Sequence, residues 1–250
     1  SWIIRKKCFF QLMFLVVVTN FSKHLQLFRI IYKQVAKRFC YSSVTNLHTD
    51  MRTLLSFILI FVGFLAYAGE PHLEIGDKAT HTSVKMLDVS GDKMSLDDAL
   101  DENGLVLIFS CNTCPFVLKW ENRYNGLKQW ADDHDVGMVV VNSNYRNRDG
   151  VDSYEAMQKH AKEKAYNFPY LVDANSLLAN AFGGQTTPHV FLFDSDYKLV
   201  YKGAIDDNYD DASGVKKAYL KTAIGNLSEG TKIAQAETKP IGCSIKRKAD

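Results

Sequence analysis

Five consecutive apolar residues, Leu105 to Phe109, run directly into the segment SCNTCPF. A strand that is apolar at every position cannot keep one face in water, so this run predicts a strand buried on both faces. Such a strand needs layers of other elements on both sides of its sheet. The run therefore favours a layered α/β fold in which the two cysteines of SCNTCPF follow the end of a central strand.

The segments around this strand alternate between helix and strand patterns. Apolar residues recur every three or four positions after the cysteines, which predicts a helix to about residue 132. The run VGMVVVN at 136–142 predicts a second buried strand, and a hairpin is expected over 190–202. The predicted order β-α-β-α-β-α-β-β-α implies a parallel centre with a closing antiparallel hairpin. We therefore expect a single α/β domain over residues 83–230, with a central mixed sheet flanked by helices.

Two helix starts are predicted from capping patterns. Ser95 stands three residues before Asp98, and Asp152 stands three residues before Glu155. In such a pattern a short polar side chain accepts a hydrogen bond from the first turn, and the acidic side chain returns one. Helices are therefore expected to begin just after Ser95 and just after Asp152.

Polar segments flank the expected domain. Residues 69–82 predict a loose lead-in, and residues 231–250 predict a polar tail that ends in GCSIKRKAD. Within the domain, the acidic run at 206–211 lacks the glycine and the distal glutamate of an EF-hand loop. A solvated turn is therefore expected at 206–211 in preference to a calcium site.

The N-terminal part of the chain has the pattern of an export signal. Residues 51–68 read MRTLLSFILIFVGFLAYA, with one early arginine, an apolar stretch and an A-x-A cleavage site before Gly69. Residues 1–50 are interpreted as upstream sequence translated in frame and without function. The alternative is a genuine N-terminal extension, with a membrane-associated helix. The sequence predicts export, to a bacterial periplasm, and a mature form that does not span the membrane.

The charge distribution argues against nucleic acid as a partner. The whole chain has a formal net charge of +2, but residues 1–50 are strongly basic and the remainder is mildly acidic. Phosphate binding needs a basic face, and no stripe of Lys and Arg interleaved with aromatics is found after residue 69. No nucleic-acid function is therefore expected.

The cysteine count argues against a disulfide framework. Cys8 and Cys40 lie in the doubtful leader, which leaves Cys111, Cys114 and Cys243, an odd number for an exported protein. A structural zinc site needs four ligands, and the histidines show no paired ligand spacing. An inert Cys111–Cys114 disulfide would close a loop too small to stabilise the fold much. No metal and no cofactor are therefore predicted, and a redox pair is favoured.

The position of the pair gives each cysteine an expected role. Cys111 leaves a buried strand at the start of a helix, where free N–H groups and the helix dipole favour an anion. We therefore expect a lowered pKa at Cys111, which makes it the nucleophile. Cys114 stands one helical turn away, where it can attack the mixed disulfide and release the reduced partner. Cys111 and Cys114 are thus the predicted catalytic residues and form the redox-active disulfide.

A proline before a predicted strand marks a second candidate element. Thr187 and Pro188 precede the first strand of the hairpin. A cis bond at this proline would leave the preceding backbone groups free to pair with an extended substrate, whereas a trans bond would make an ordinary turn. The residues alone leave the isomer open, and Thr187 and Pro188 are predicted to position substrate.

These features together resemble the thioredoxin-like superfamily over about residues 73–230. More narrowly, the chain resembles the exported redoxins of the alkyl hydroperoxide reductase/thiol-specific antioxidant group, which share five short motifs with it: Cys111–Val117, Val141–Asn144, Thr187–Asp194, Ile205–Asn208 and Gly242–Lys246. The resemblance implies a thioredoxin fold, redox chemistry at the cysteine pair, and a cis-proline at Pro188 that faces it. The chain departs from the group at His189, where an acid is common.

The predicted function is thiol–disulfide exchange, as a reductase of protein or small-molecule disulfides that receives electrons from an upstream donor. A thiol peroxidase is one alternative, but the threonine that peroxiredoxins place three residues before their reactive cysteine is missing before both Cys111 and Cys114. A copper metallochaperone is the other alternative, because His189 would lie close to the pair and thiolates bind Cu(I). Against the copper alternative, the copper-delivery relatives use a CxxxC spacing, whereas this chain has CxxC.

The role of Cys243 is left open by the sequence. It is either a free thiol on a flexible tail, or a functional thiol that folds back as a third redox cysteine or pairs with a partner, and a Cys243–Cys111 link would support the third redox cysteine. The two alternatives differ in the disulfides that the oxidised protein would contain.

Overall fold

The computed structural model of the chain describes residues 72–248. The predictions for residues 1–50 and for the signal peptide at 51–68 lie outside the described residues. Within residues 72–248, none of the helices combines the length and the apolar character that crossing a membrane requires.

The described chain forms nine strands and six α-helices, with three short 3₁₀ turns. The strands are β1 (Met86–Asp88), β2 (Lys93–Met94), β3 (Gly104–Ser110), β4 (Val136–Asn142), β5 (Tyr170–Val172), β6 (Thr186–Thr187), β7 (His189–Asp194), β8 (Leu199–Gly203) and β9 (Cys243–Ser244). The helices are α1 (Leu96–Ala99), α2 (Pro115–Trp120), α3 (Tyr124–Asp132), α4 (Tyr154–Glu163), α5 (Leu177–Phe182) and α6 (Tyr219–Ser228).

Seven of the strands form one mixed sheet in the order β2-β1-β5-β4-β3-β7-β8. β3, β4 and β5 run parallel, whereas β7 and β8 add an antiparallel hairpin beside β3. β1 pairs antiparallel with β5 and β2, so both edges of the sheet are antiparallel. The predicted α/β fold, with a central mixed sheet flanked by helices, is confirmed.

The central strands are buried on both faces, as the apolar runs predict. Every residue of β3 and of β4 is buried. Val106 and Ile108 face a core that α2, α3, α4 and α6 cover, whereas Leu107 and Phe109 face a core that α1 and α5 cover. Each such side chain contributes roughly 1.5–3 kcal/mol on leaving water. The loop after β3 is therefore attached to the most strongly buried part of the molecule.

The helix predicted to run to residue 132 is interrupted. A 3₁₀ turn at Glu121–Arg123 separates α2 from α3. Around this turn, the Trp120 indole donates to Asp206 at 3.1 Å and Arg123 forms an ion pair with the same carboxylate. Asp206 is buried, so the expectation of a solvated turn is wrong for this first residue of the acidic run.

The two capping predictions have different outcomes. Ser95 and Asp98 form the expected capping box before α1. The N-cap of α4 is Ser153, whose hydroxyl accepts from the backbone N–H of Ala156, so the prediction of Asp152 as the cap is wrong. The reason is that the Asp152 carboxylate is fully buried and accepts hydrogen bonds from another part of the molecule.

The polar segments at the two ends of the domain are bound to its surface. In the lead-in, the backbone N–H groups of Gly76 and Ala79 donate to the hairpin of β7 and β8, both at 2.8 Å. In the tail, residues 236–238 exchange backbone hydrogen bonds with Lys202 of β8. β9 then pairs with β6 in a separate two-stranded sheet. Residues 72–82 are thus not loose, since their backbone pairs with an edge that would otherwise be unpaired.

Candidate active site

Cys111 and Cys114 lie where the central strand ends and the next helix begins. β3 ends at Ser110, and Cys114 is the N-cap of α2 with Pro115 as the first helical residue. Pro115 fits there because its missing N–H has no helical partner to lose in the first turn. Both thiols are free and buried, and they form a small cluster with Val117. The strand, loop and helix thus bring the two predicted redox cysteines together.

Thr187 approaches both sulfur atoms from the loop before β7. The Thr187–Pro188 peptide bond is cis, as the resemblance implied. Cys111 Sγ lies 3.3 Å from Thr187 Oγ1, and Cys114 Sγ lies 3.1 Å from the Thr187 carbonyl oxygen. The predicted positioning residue therefore contacts both members of the pair, one through its side chain and the other through its backbone.

Cys243 lies beside the same loop. It stands opposite Thr187 in the antiparallel pairing of β6 and β9. Its half-buried side chain packs against the cluster of Cys111, Cys114 and Val117. The third cysteine therefore lies beside the pair, and which of the two it exchanges with stays a prediction.

The sulfur of Cys114 lies beside two other thiols and a carbonyl oxygen. Cys111 and Cys243 belong to the same small cluster, and the Cys114 thiol donates to the Thr187 carbonyl oxygen at 3.1 Å. Hydrogen bonding with Cys111, and more weakly with Cys243 and the neighbouring backbone, favours the Cys114 thiolate and outweighs the effect of burial. These interactions lower the pKa of Cys114 to about 4.

The prediction of a lowered pKa at Cys111 is wrong for the reduced protein. The Cys111 thiol donates to Cys114 and is the more deeply buried of the two, and the negative charge of Asp152 acts on it as well. All three effects raise the pKa of Cys111 well above the ordinary value. The hydrogen bond between the two cysteine side chains is the largest cause of both shifts, and it favours charge on Cys114 over charge on Cys111.

The third thiol is also held in its protonated form. Burial and the hydrogen bond to Cys114 raise the pKa of Cys243 to about 11. Its sulfur accepts a bond from the backbone N–H of Phe116, which opposes this shift without cancelling it. The shifts therefore favour charge on Cys114 over charge on Cys111 or Cys243.

A buried carboxylate holds the loop that carries the cysteines. Asp152 Oδ1 accepts from the backbone N–H of Asn112 at 3.0 Å and from Asn142 Nδ2 at 2.9 Å. Asp152 Oδ2 accepts from Asn144 Nδ2 at 3.0 Å and from Asn147 Nδ2 at 3.2 Å. A buried charge is tolerated when hydrogen-bond donors surround it in this way. Asp152 thus connects the CxxC loop to the end of β4.

Asn112 completes this connection from its own side chain. Its amide donates to the Val151 carbonyl at 2.8 Å and accepts from the Tyr170 hydroxyl at 2.9 Å. The sequence interpretation missed this network because it took Asp152 for a helix cap. The available signal was the VNSN motif, since two of its residues, Asn142 and Asn144, bind Asp152.

His189 does not lie where the copper-binding alternative needs it. Its Nδ1 accepts from the backbone N–H of Gln185 at 3.1 Å, and its ring packs on Phe191 with centroids 4.6 Å apart. Burial, with smaller contributions from Lys202 and Arg247, lowers the pKa of His189 to about 3, so the ring is neutral. Among residues 72–248, no group of three or more His, Cys, Asp or Glu side chains is arranged to hold a metal ion.

A family model described as "Redoxin" matches residues 74–219 of the chain. Among curated proteins, none matches. Two solved structures are similar in both sequence and fold. A hypothetical protein from Sinorhizobium meliloti 1021 is 28% identical with a TM-score of 0.65, covering 72% of this chain and 98% of its own. An uncharacterised conserved protein from Geobacillus kaustophilus is 31% identical with a TM-score of 0.64, covering 73% and 95%.

A third structure is similar in fold alone. The peroxidoxin BcpB from Mycobacterium tuberculosis is 19% identical, with a TM-score of 0.50 and coverage of 63% of this chain and 98% of its own. At this identity the similarity concerns the arrangement of strands and helices and carries no argument about substrate.

Proposed function

Since the chain belongs to the redoxin family, a group of thiol-based redox proteins with the thioredoxin fold, we propose that it is a thiol–disulfide oxidoreductase. In this proposal Cys111 and Cys114 alternate between dithiol and disulfide as they exchange with a protein or small-molecule disulfide. The Cys114 thiolate is the attacking sulfur, in place of the Cys111 nucleophile that the sequence predicts.

One observation carries the proposal. Cys111 and Cys114 share one buried cluster at the cis-proline loop, each with its sulfur in contact with Thr187, and the pKa of Cys114 is lowered to about 4. The thiolate is the form of cysteine that attacks a disulfide. The second cysteine then displaces the mixed disulfide, which returns the substrate as two thiols.

The proposal is tested by single-turnover reduction of bis(2-hydroxyethyl) disulfide by the reduced full chain. The wild type should release two equivalents of 2-mercaptoethanol and end with an internal disulfide. A Cys111→Ser/Cys114→Ser double variant should release none, whereas an exposed control on α4, Glu155→Ser, should behave as the wild type. Thiol release by the double variant at the wild-type rate would refute the proposal.

The direction of electron flow follows from the reduction potential. A potential near the value of about −270 mV of thioredoxin would support a reductase, whereas a potential near the value of about −120 mV of DsbA would support an oxidase. Equilibration with glutathione redox buffers would measure it. A value at or below that of thioredoxin would favour the reductase that the sequence predicts.

Two further assays distinguish the alternatives to thiol–disulfide exchange. Turnover of hydrogen peroxide that depends on Cys114 would indicate a thiol peroxidase, a role that lacks the expected threonine three residues before Cys114. Stoichiometric Cu(I) binding that is lost in a His189→Ala variant would indicate a metallochaperone. The bond that His189 accepts from Gln185 speaks against the second alternative.

We also propose that the protein works after export, in a bacterial periplasm, and that a dithiol electron donor reduces its oxidised cysteine pair after each reaction. The support is the signal-peptide pattern of residues 51–68. N-terminal sequencing of the protein from the cell envelope should find Gly69 as the first residue. A chain that begins before Met51 would contradict both the cleavage site and the dismissal of residues 1–50.

A further inference from the structure

The C-terminal tail occupies the edge of the cis-proline loop that faces the cysteines. β9 pairs antiparallel with β6, which places Cys243 opposite Thr187 and Ser244 opposite Thr186. An exposed strand edge of this kind is where an extended peptide adds by backbone hydrogen bonding. The sequence predicts that this edge receives substrate, yet a segment of the same chain pairs with it, and that segment carries a cysteine.

The fit of the tail is close and specific. A Cβ on Gly242 would lie 2.3 Å from the Thr187 carbonyl oxygen, so only glycine permits the backbone to approach this near. On the other side of the strand, Ile245 is buried and its N–H donates to the Gln185 carbonyl at 3.1 Å. The tail is therefore built to lie on this edge.

The VNSN motif anchors the tail just beyond the strand. Asn144 Oδ1 accepts from the backbone N–H of Lys246 at 2.8 Å, and the Arg146 N–H donates to the Lys246 carbonyl at 3.0 Å. Because Asn144 also binds Asp152, the network that holds the CxxC loop holds the tail as well. Cys243 thus has a fixed position relative to Cys114.

We propose that Cys243 is a resolving thiol for Cys114, presented in the place of a substrate cysteine by the strand that occupies the Thr187 edge. This rests on the proposed function, which it deepens. The Cys243 side chain packs against the cluster that contains Cys114. The two cysteines also share Thr187, which stands opposite Cys243 in the strand pairing and whose carbonyl oxygen lies 3.1 Å from Cys114 Sγ.

The steps balance as follows. The Cys114 thiolate attacks a disulfide RSSR′, forms the mixed disulfide Cys114–SR, and releases R′S⁻, which takes a proton from water. Cys243 loses its proton, attacks the Cys114 sulfur, and forms the Cys114–Cys243 disulfide with release of RS⁻, which takes that proton. Two protein thiols are oxidised and one substrate disulfide is reduced to two thiols. Cys111 or an external dithiol then attacks this disulfide and frees Cys243.

The tail also favours one class of substrate. Cys114 and Cys111 are 5% and 3% exposed with the tail in place. A small disulfide needs only a brief opening beside Cys243, whereas an extended protein segment has to replace β9 along the Thr187 edge. Small-molecule disulfides are therefore the substrate class that suits the closed tail.

The test uses the full chain with Cys111→Ser, reacted with bis(2-hydroxyethyl) disulfide and followed by intact mass and disulfide mapping. We expect both equivalents of 2-mercaptoethanol to be released and a Cys114–Cys243 disulfide to form. Adding Gly242→Ala should slow formation of the Cys114–Cys243 disulfide about tenfold or more, because the Cys243 thiol then has a lower effective concentration at Cys114. The mercaptoethanol adduct on Cys114 should then accumulate. Gly126→Ala is the matched control, since its Cβ meets nothing within 4 Å.

Two results would overturn the proposal, and they are distinguishable. In one, the Cys111→Ser variant keeps its mercaptoethanol adduct while the wild type closes as Cys111–Cys114, which leaves the proposed function intact. In the other, the wild type forms neither adduct nor disulfide, which refutes both. Near-UV circular dichroism of each variant, compared with wild type, establishes that the tested protein is folded.

Discussion

Cys111 and Cys243 belong to the same cluster as Cys114, but they are held in very different ways. Cys111 follows a fully buried central strand, and its neighbour Asn112 is tied to the buried Asp152 carboxylate. Cys243 belongs to a two-residue edge strand near the end of the chain. One thiol is thus held by the core, whereas the other is held by a two-stranded pairing outside the seven-stranded sheet.

This difference suggests how Cys114 can exchange with two partners, Cys111 and Cys243. A thiol attached to the core keeps its distance to Cys114 and closes the CxxC disulfide whenever Cys114 carries a substrate. A thiol on a detachable strand can leave so that substrate enters and return to displace it. The four predictions below separate these two roles, from the largest expected effect to the smallest.

Cys114→Ser should abolish the reaction of both partners. We expect about a 1,000-fold loss in the rate of 2-mercaptoethanol release, because a serine hydroxyl is not ionised at neutral pH and cannot attack the disulfide. Cys111→Ser and Cys243→Ser should each keep the first step at a rate close to wild type. A stopped-flow comparison of the three variants measures this. If Cys111→Ser shows the largest loss, Cys111 is the attacking sulfur.

The pH dependence of alkylation should distinguish the central sulfur from its detachable neighbour. The pKa of Cys114 is lowered to about 4, so its thiolate fraction is complete above pH 6 and its rate should be flat from pH 6 to 8. The pKa of Cys243 is raised to about 11, so its thiolate fraction should rise about tenfold per pH unit, or about 100-fold over that range. Site-resolved mass spectrometry of iodoacetamide labelling measures both profiles. A flat profile at Cys243 would contradict the arrangement.

Asp152→Asn should weaken the hydrogen-bond network that holds the loop carrying Cys111. The substitution removes the charge that accepts from four donors, and the new amide group directs N–H toward some of them. We expect the free energy of unfolding to fall by about 2 kcal/mol, roughly 30-fold in the unfolding constant. Urea denaturation measures it, with Asp149→Asn as an exposed control one turn away. Equal midpoints for the two variants would show that the buried network contributes nothing to stability.

Asn144→Ala should weaken the attachment of the tail that carries Cys243 more than the attachment of the CxxC loop. It removes the bond to the Lys246 N–H together with one bond to Asp152. Loss of about 1 kcal/mol at the tail should raise the alkylation rate of Cys243 about fivefold. Asn147→Ala is the matched control, because it removes a bond to Asp152 and none to the tail. If both variants expose Cys243 equally, Asn144 does not anchor the tail.

Much of the fold could be predicted because its signals are local. The apolar runs of β3 and β4 and the periodic apolar residues of α3 depend on neighbouring residues along the chain, so they were found with errors of a few positions at their ends. The Ser95 cap was found for the same reason. Asp152 was misread because the same residue type that caps a helix also serves as a buried acceptor, and only its three-dimensional surroundings distinguish the two uses.

The sequence by itself determined the α/β class, the position of the CxxC pair after a buried strand and the proline that faces it, since each depends on short stretches of chain. The tertiary structure alone decided where the proton and the charge lie. The pKa of Cys114 is lowered first by Cys111 and then by Cys243, which lies far along the chain and returns on a strand that pairs with Thr187. A pKa is set by the groups in contact with the sulfur, and contacts between distant segments exist only once the chain has folded.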